Sequence, residues 1–140
     1  MLQFISPPVE VGVFLQVLIK SFIKANGIVV TGTKGAKVIE QLKPLKNEYI
    51  IIKKRWSVFY QTDLDIILKH HNIKDIYITG IQTPNCIRTT IFDGASLNYN
   101  MILIEDASNA SSKSIHQSNI LDIQNLGCQT LLTNNLINSI

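Results

Sequence analysis

Apolar positions along this chain repeat with two periods, one of strands and one of helices, and the two take turns. Residues 48–53 read EYIIIK, a continuous β-branched run of the kind buried on both faces of a sheet. Residues 62–71 follow with Leu64, Ile67, Leu68 and His71 at helical spacing, and with Thr62 as N-cap three residues ahead of Asp65. A second strand is predicted over 75–81 and a turn over 83–85. A helix then opens at Cys86, with Ile87, Thr90, Ile91, Gly94, Ala95 and Asn98 on one face. Gly94 and Ala95 are small enough to let that helix approach the sheet closely. Residues 100–105 form a third β-run with Asp106 at its end. Ser111 or Ser112 caps a helix to about residue 126, where His116, Ile120, Ile123 and Gly127 share a stripe and Gly127 serves as the stop. Residues 128–132 make the final strand. This alternation is the signature of an α/β fold, a mainly parallel sheet joined by right-handed crossovers.

The amino-terminal part is less regular. Pro7 and Pro8 favour an extended start, after which Phe14, Val17, Leu18 and Phe22 recur at helical spacing up to Asn26 and Gly27, which predicts a helix. Residues 28–30 are a short β-like run. The TGTKG turn over 31–35 lacks the spacing and the Lys-Ser/Thr ending of a phosphate-cradling loop, so it reads as loop punctuation. Residues 36–42 predict a short helix with Val38, Ile39 and Leu42 on one side, closed by Pro44.

Length and composition leave this picture intact. A chain of 140 residues with 46% hydrophobic and 16% charged positions is expected to fold as one domain, 1–140, whose first 31 residues form an aberrant amino-terminal segment. The net charge of +3 comes from scattered lysines, with no concentrated basic run, so no nucleic-acid partner is expected. The apolar stretch 11–23 is interrupted by Lys20 and is too short to span a bilayer, so neither membrane anchor nor export signal is read there. Cys86 and Cys128 show no metal-ligand or disulfide-framework spacing, and the adjacent His70 and His71 point to different sides of a helix. No metal and no cofactor are expected, and a reducing, cytoplasmic setting is.

Candidate chemistry concentrates at one edge of the predicted sheet. Cys86 stands at a strand–turn–helix junction, where ligands bind in open α/β sheets and where free amides and the helix dipole favour negative charge. Lys53, Lys54 and Arg55 end a neighbouring strand, which brings at least one cation to the same edge.

Four stretches then carry a family resemblance: GTKGAKVIEQLKP over 32–44, IIKKRWSVFYQTDLDIIL over 51–68, GIQTPNCIRTTIFDGASLNY over 80–99, and EDASNA with IHQSNILDIQNLG further on. In this order they resemble the isochorismatase-like cysteine hydrolases, which include nicotinamidases, N-carbamoylsarcosine amidases and ureidoacrylate hydrolases. The QTPNCIRTT and IHQSNILDIQNLG wording is similar to a branch, with plant members, labelled probable inactive nicotinamidases. The resemblance implies a three-layer, Rossmann-like sandwich and a triad of aspartate, lysine and cysteine. Cys86 falls on the nucleophile that forms a thioester with a carbonyl carbon, and Lys53 on the lysine that keeps the thiolate available. It further implies a non-proline cis peptide between Ile81 and Gln82, with the amides of Gln82 and Cys86 facing the developing oxyanion.

The aspartate of that triad has no counterpart here. Upstream of Lys53 the acids are Glu10, Glu40 and Glu48, none at the end of an apolar strand, and the Asp-x-His metal motif of true nicotinamidases is absent as well. The chain is therefore expected to lack the family's first strand, first helix and second strand. Two functions follow: an impaired hydrolase acting on the C–N bond of a small amide or ureido compound, or a noncatalytic remnant serving as a binding or oligomerisation module. An uncovered sheet edge would favour a homo-oligomer.

Overall fold

The computed structural model describes residues 2–5, 15–19, 40, 43–44, 46 and 48–138. Six strands form one sheet: β1 (Leu2–Ile5), β2 (Leu15–Ile19), β3 (Tyr49–Lys53), β4 (Asp75–Ile81), β5 (Asn100–Asn109) and β6 (Gln129–Leu131), in the spatial order β3-β2-β1-β4-β5-β6. β2 and β3 pair in parallel, as do β4 with β5 and β5 with β6, while β1 is antiparallel to both its neighbours. All strands but β1 thus point the same way, and the carboxyl ends of β3 and β4 share one edge. The place between β2 and β4 is filled by the four residues of β1, run in reverse.

Residues 15–19 are a strand, where the apolar spacing predicted a helix. The same residues, with only Gln16 polar among them, also suit a short strand, and five consecutive partners on β3 decide the outcome. The β-like run at 28–30, the glycine-rich turn at 31–35 and most of the 36–42 helix lie outside the described residues. Glu40 itself sits in a short 3₁₀ turn.

Helices cover both faces of the sheet, as the three-layer reading requires. On one face α1 (Leu64–His70), α2 (Arg88–Ser96) and α3 (Lys113–Asn125) pack against β4 and β5 through Leu64, Leu68, Ile91, Ile120 and Ile123, which meet Ile76, Ile78, Met101 and Leu103. On the other, α4 (Thr133–Ile137) sets Leu136 against Ile102 and Ile104. Residues 101–104 are therefore buried without interruption, each side chain adding about 1.5–3 kcal/mol to the core. β3 differs: it is an edge strand, Ile51 and Lys53 point inward, and Ile50 and Ile52 remain exposed, so its β-branched run is covered on one face and not on two. The helix α4 has no signal in the periodicity. Its first turn is pinned by Asp106, whose Oδ1 accepts from Thr133 N and Thr133 Oγ1, each at 2.8 Å.

Local details depart from expectation in instructive ways. α1 starts at Leu64, with Asp63 at the cap position and no side-chain cap bond. Thr62 Oγ1 accepts from Leu64 N at 3.3 Å but gives its own proton to Val58 O, and Asp65 turns away to accept from Lys69 Nζ and Tyr99 Oη, each at 2.7 Å. At α3 the expected cap is present: Ser112 Oγ accepts from Ile115 N at 3.3 Å. Gly94 does bring α2 close to β5, since a Cβ there would collide with Met101 and come within 3.0 Å of Phe59.

Candidate active site

The junction after β4 is tighter than a turn followed by a helix. Residues Thr83–Ile87 form a π-helical turn that runs directly into α2 at Arg88. Gln82 caps it in an extended conformation, and its carbonyl accepts from Asn85 N at 3.1 Å and Ile87 N at 3.4 Å. Pro84 sits in the first turn, where its missing N–H costs nothing. The Ile81–Gln82 peptide is cis, at the bond where the family resemblance placed it.

Cys86 is in the middle of this turn and is only 4% exposed. Lys53, at the end of β3, is wholly buried, with 0% exposure. Its Nζ donates to Arg55 O and to Trp56 O, both at 2.9 Å, and the Cys86 side chain acts on it electrostatically. Burial pushes the lysine below its usual range, while the charge of Cys86 and its hydrogen bond push the other way. Among the described residues no carboxylate adds to that support. Lys54 and Arg55, the other two cations of the run, are exposed, so the structure selects Lys53 from the three.

Two loops hold this pair. The segment after β3 folds back over α2: Val58, fully buried, donates its N–H to Thr90 Oγ1 at 3.2 Å, and Phe59 stacks on Tyr99 with ring centroids 5.7 Å apart. The π-helical turn is fastened from its other side by Thr83, also fully buried, whose Oγ1 lies 2.9 Å from Asn109 O and 2.8 Å from His116 Nδ1. With one hydroxyl proton to give, Thr83 donates to the carbonyl and accepts from His116, which places a proton on Nδ1. Asn109 reaches the site because β5 runs four residues further than the sequence suggests. Its register slips, so that Ile78 faces Leu103 but Gly80 faces Ser108 and Ile81 faces Asn109. Sequence reading placed His116 on a core stripe and missed this contact, which spans 33 residues of chain.

Elsewhere the chemistry is structural. His71 Nε2 bonds to Tyr49 Oη at 2.9 Å, tying α1 to β3, and among the described residues no group of three or more His, Cys, Asp or Glu is arranged to hold a metal ion. An open cavity of about 360 Å³ lies at the opposite edge of the sheet, lined among others by Tyr77, Tyr99, Cys128 and Gln129. It is remote from the lysine–cysteine pair, and its apparent size says nothing about that chemistry.

A mainly parallel sheet covered on both faces, with a thiol opening the helix after one strand and a buried ammonium ending another, defines an α/β domain built around a cysteine–lysine pair. The profile of the isochorismatase domain matches residues 18–135, and the chain belongs to that family. It is 42% identical over 106 residues to a probable inactive nicotinamidase from Arabidopsis thaliana, covering 74% of this chain and 54% of that protein. With a ureidoacrylate amidohydrolase from Cronobacter sakazakii it shares 36% identity over 72 residues, 51% of this chain and 31% of the other. The chain thus spans about half or less of the length of these curated relatives. The crystal structure of an isochorismatase family protein from Desulfovibrio vulgaris superposes with a TM-score of 0.83 at 28% identity, covering 89% of this chain and 73% of that one.

Proposed function

We propose that this chain carries the nucleophilic half of a hydrolase for the C–N bond of a small amide or ureido compound. Cys86 Sγ adds to the carbonyl carbon, the C–N bond breaks and a thioester forms. Lys53 supplies the positive charge beside the thiolate, and the amides of Gln82 and Cys86 receive the oxyanion. One observation carries the reading: a wholly buried lysine under the electrostatic influence of a buried cysteine at a strand–helix junction. Removing a lysine from water costs several kcal/mol, and a buried, perturbed group beside a nucleophile is a pointer to function. The names of two relatives, a probable inactive nicotinamidase and a ureidoacrylate amidohydrolase, support a small amide or ureido compound as the ligand class. Two unpaired thiols suit a reducing, cytoplasmic setting, and the exposed Ile50 and Ile52 on the edge strand suit self-association into a homo-oligomer.

A second reading, a noncatalytic binding or oligomerisation module, is favoured by a specific observation. Among the described residues no carboxylate acts on Lys53, so none of them is in place as general base. Loss of such a base costs about 10²–10⁴ in rate, and one relative is named as inactive. Weak or no hydrolysis is the expected result. Ammonia release from a panel of primary amides and ureido acids separates the two readings. Sustained release that disappears in Cys86→Ser rules out the noncatalytic module; release that survives Cys86→Ser rules out the nucleophile.

A further inference from the structure

We propose that Lys53 is itself an acyl acceptor: an acyl group taken up by Cys86 passes from sulfur to Nζ and remains there as an amide. This rests on the reading of Cys86 as the nucleophile. The groups are already brought together: Nζ is wholly buried and fixed by two backbone carbonyls, and the buried Cys86 side chain is near enough to act on it. The carbonyl carbon of a thioester is one covalent bond from Sγ, and burial keeps bulk water from the lysine beside it.

Proton bookkeeping drives the transfer. One transferable proton is shared between Sγ and Nζ. When Sγ bonds to the carbonyl carbon of an amide and the C–N bond breaks, the ammonium gives that proton to the departing amine. What remains is a neutral thioester beside a neutral lysine amine. Reprotonation is disfavoured, since burial lowers the lysine's affinity for a proton and both opposing influences come from Cys86, which has lost its charge. The amine then bonds to the thioester carbon, the S–C bond breaks, and the proton leaving nitrogen goes to Sγ. The products are a free thiol and an Nε-acyl-lysine, with no water consumed and no change of oxidation state. In a site where a carboxylate kept the lysine charged, the nitrogen would have no lone pair to attack with. Among the described residues here, none does so. The reaction is self-limiting at one acyl group per chain, because the acylated lysine can no longer pair with the thiolate.

The full chain is incubated with p-nitrophenyl acetate near neutral pH, where the leaving phenolate needs no proton and the ammonium releases its own to solvent. Samples taken over time are divided, treated or not with neutral hydroxylamine, and mapped by peptide mass spectrometry. The expected result is a hydroxylamine-labile acetyl group on Cys86 that declines as a hydroxylamine-resistant acetyl group on Lys53 rises, with Lys53 acetylation slowed about 10²-fold or more in Cys86→Ser. The precursor–product order is read in the unaltered chain, so a poorly folded variant does not blunt the test. A labile acetyl group on Cys86 that persists or hydrolyses while Lys53 stays unmodified overturns the transfer and leaves the nucleophile reading standing. Equal Lys53 acetylation with and without Cys86 also overturns the transfer. No acetyl group on Cys86 at any time overturns both.

Discussion

Cys86 and Cys128 sit at opposite edges of one sheet and differ in everything that governs a thiol. Cys128 precedes β6, is half-buried, and lines the open cavity at the amino edge; burial alone acts on it and pushes its thiol up. Cys86 is the more deeply buried of the two, yet it lies against a cation, inside a turn held by hydrogen bonds on both sides. Exposure favours Cys128 and charge favours Cys86. The thiolate is the reactive form, so the contrast sets a neighbouring cation against greater exposure, and labelling decides which of the two governs reactivity.

The contrast is broken most completely by removing either sulfur. With iodoacetamide at neutral pH, labelling of the native chain is expected to disappear in Cys86→Ser and to persist in Cys128→Ser; the opposite pattern would mean that accessibility outranks charge. Removing the cation comes next. Lys53→Met keeps the length of the side chain and is expected to slow Cys86 labelling by about ten-fold or more while leaving Cys128 untouched. A smaller effect is expected from the other fastening of the turn. Thr83→Val leaves Asn109 O and His116 Nδ1 without their partner and should cost about 1–3 kcal/mol in urea denaturation, most of which Thr83→Ser restores.

The smallest effect belongs to the amino edge. Burial and the Asp65 carboxylate raise Tyr99 well above its ordinary range. A raised acid stabilises the fold in its protonated form, so its contribution is complete below pH ~10 and fades as pH rises towards the raised value. Asp65, lowered by Lys69 and by Tyr99, has the opposite sign: its contribution is present above pH ~4 and fades as pH falls. Tyr99→Phe is expected to cost about 1 kcal/mol at neutral pH and to flatten the alkaline decline in thermal stability. It should leave Cys86 labelling unchanged, and a change there would show that the two edges are coupled.

Much of this arrangement is legible in the residues. The strand at 75–81, the capped helix after Ser112 and the cysteine at the helix opening follow from periodicity and capping chemistry, and Lys53 with the cis peptide follows from family resemblance. What escapes is set by distant partners. The run at 15–19 satisfies both periods, and only its ladder with β3 makes it a strand. α4 is five residues long, too short for a period to show, and exists because Asp106 caps it. The bond between Thr83 and His116 depends on a register slip in β5 that no local pattern announces. The missing aspartate was visible as an absence, but not that a reversed four-residue strand takes the place between β2 and β4.

The hydrogen bond from Val58 to Thr90 carries a consequence for how the chain folds. Lys53 and Val58 stand on one segment, Cys86 and Thr90 on another, one helical turn apart, so the two contacts are rungs of the same short ladder. Closing the first rung pays nearly all the loop-closure entropy of the second. Whichever of the two contacts closes first, the other adds little further loop entropy, so the lysine and the thiol are brought together along with the packing of Val58 on α2.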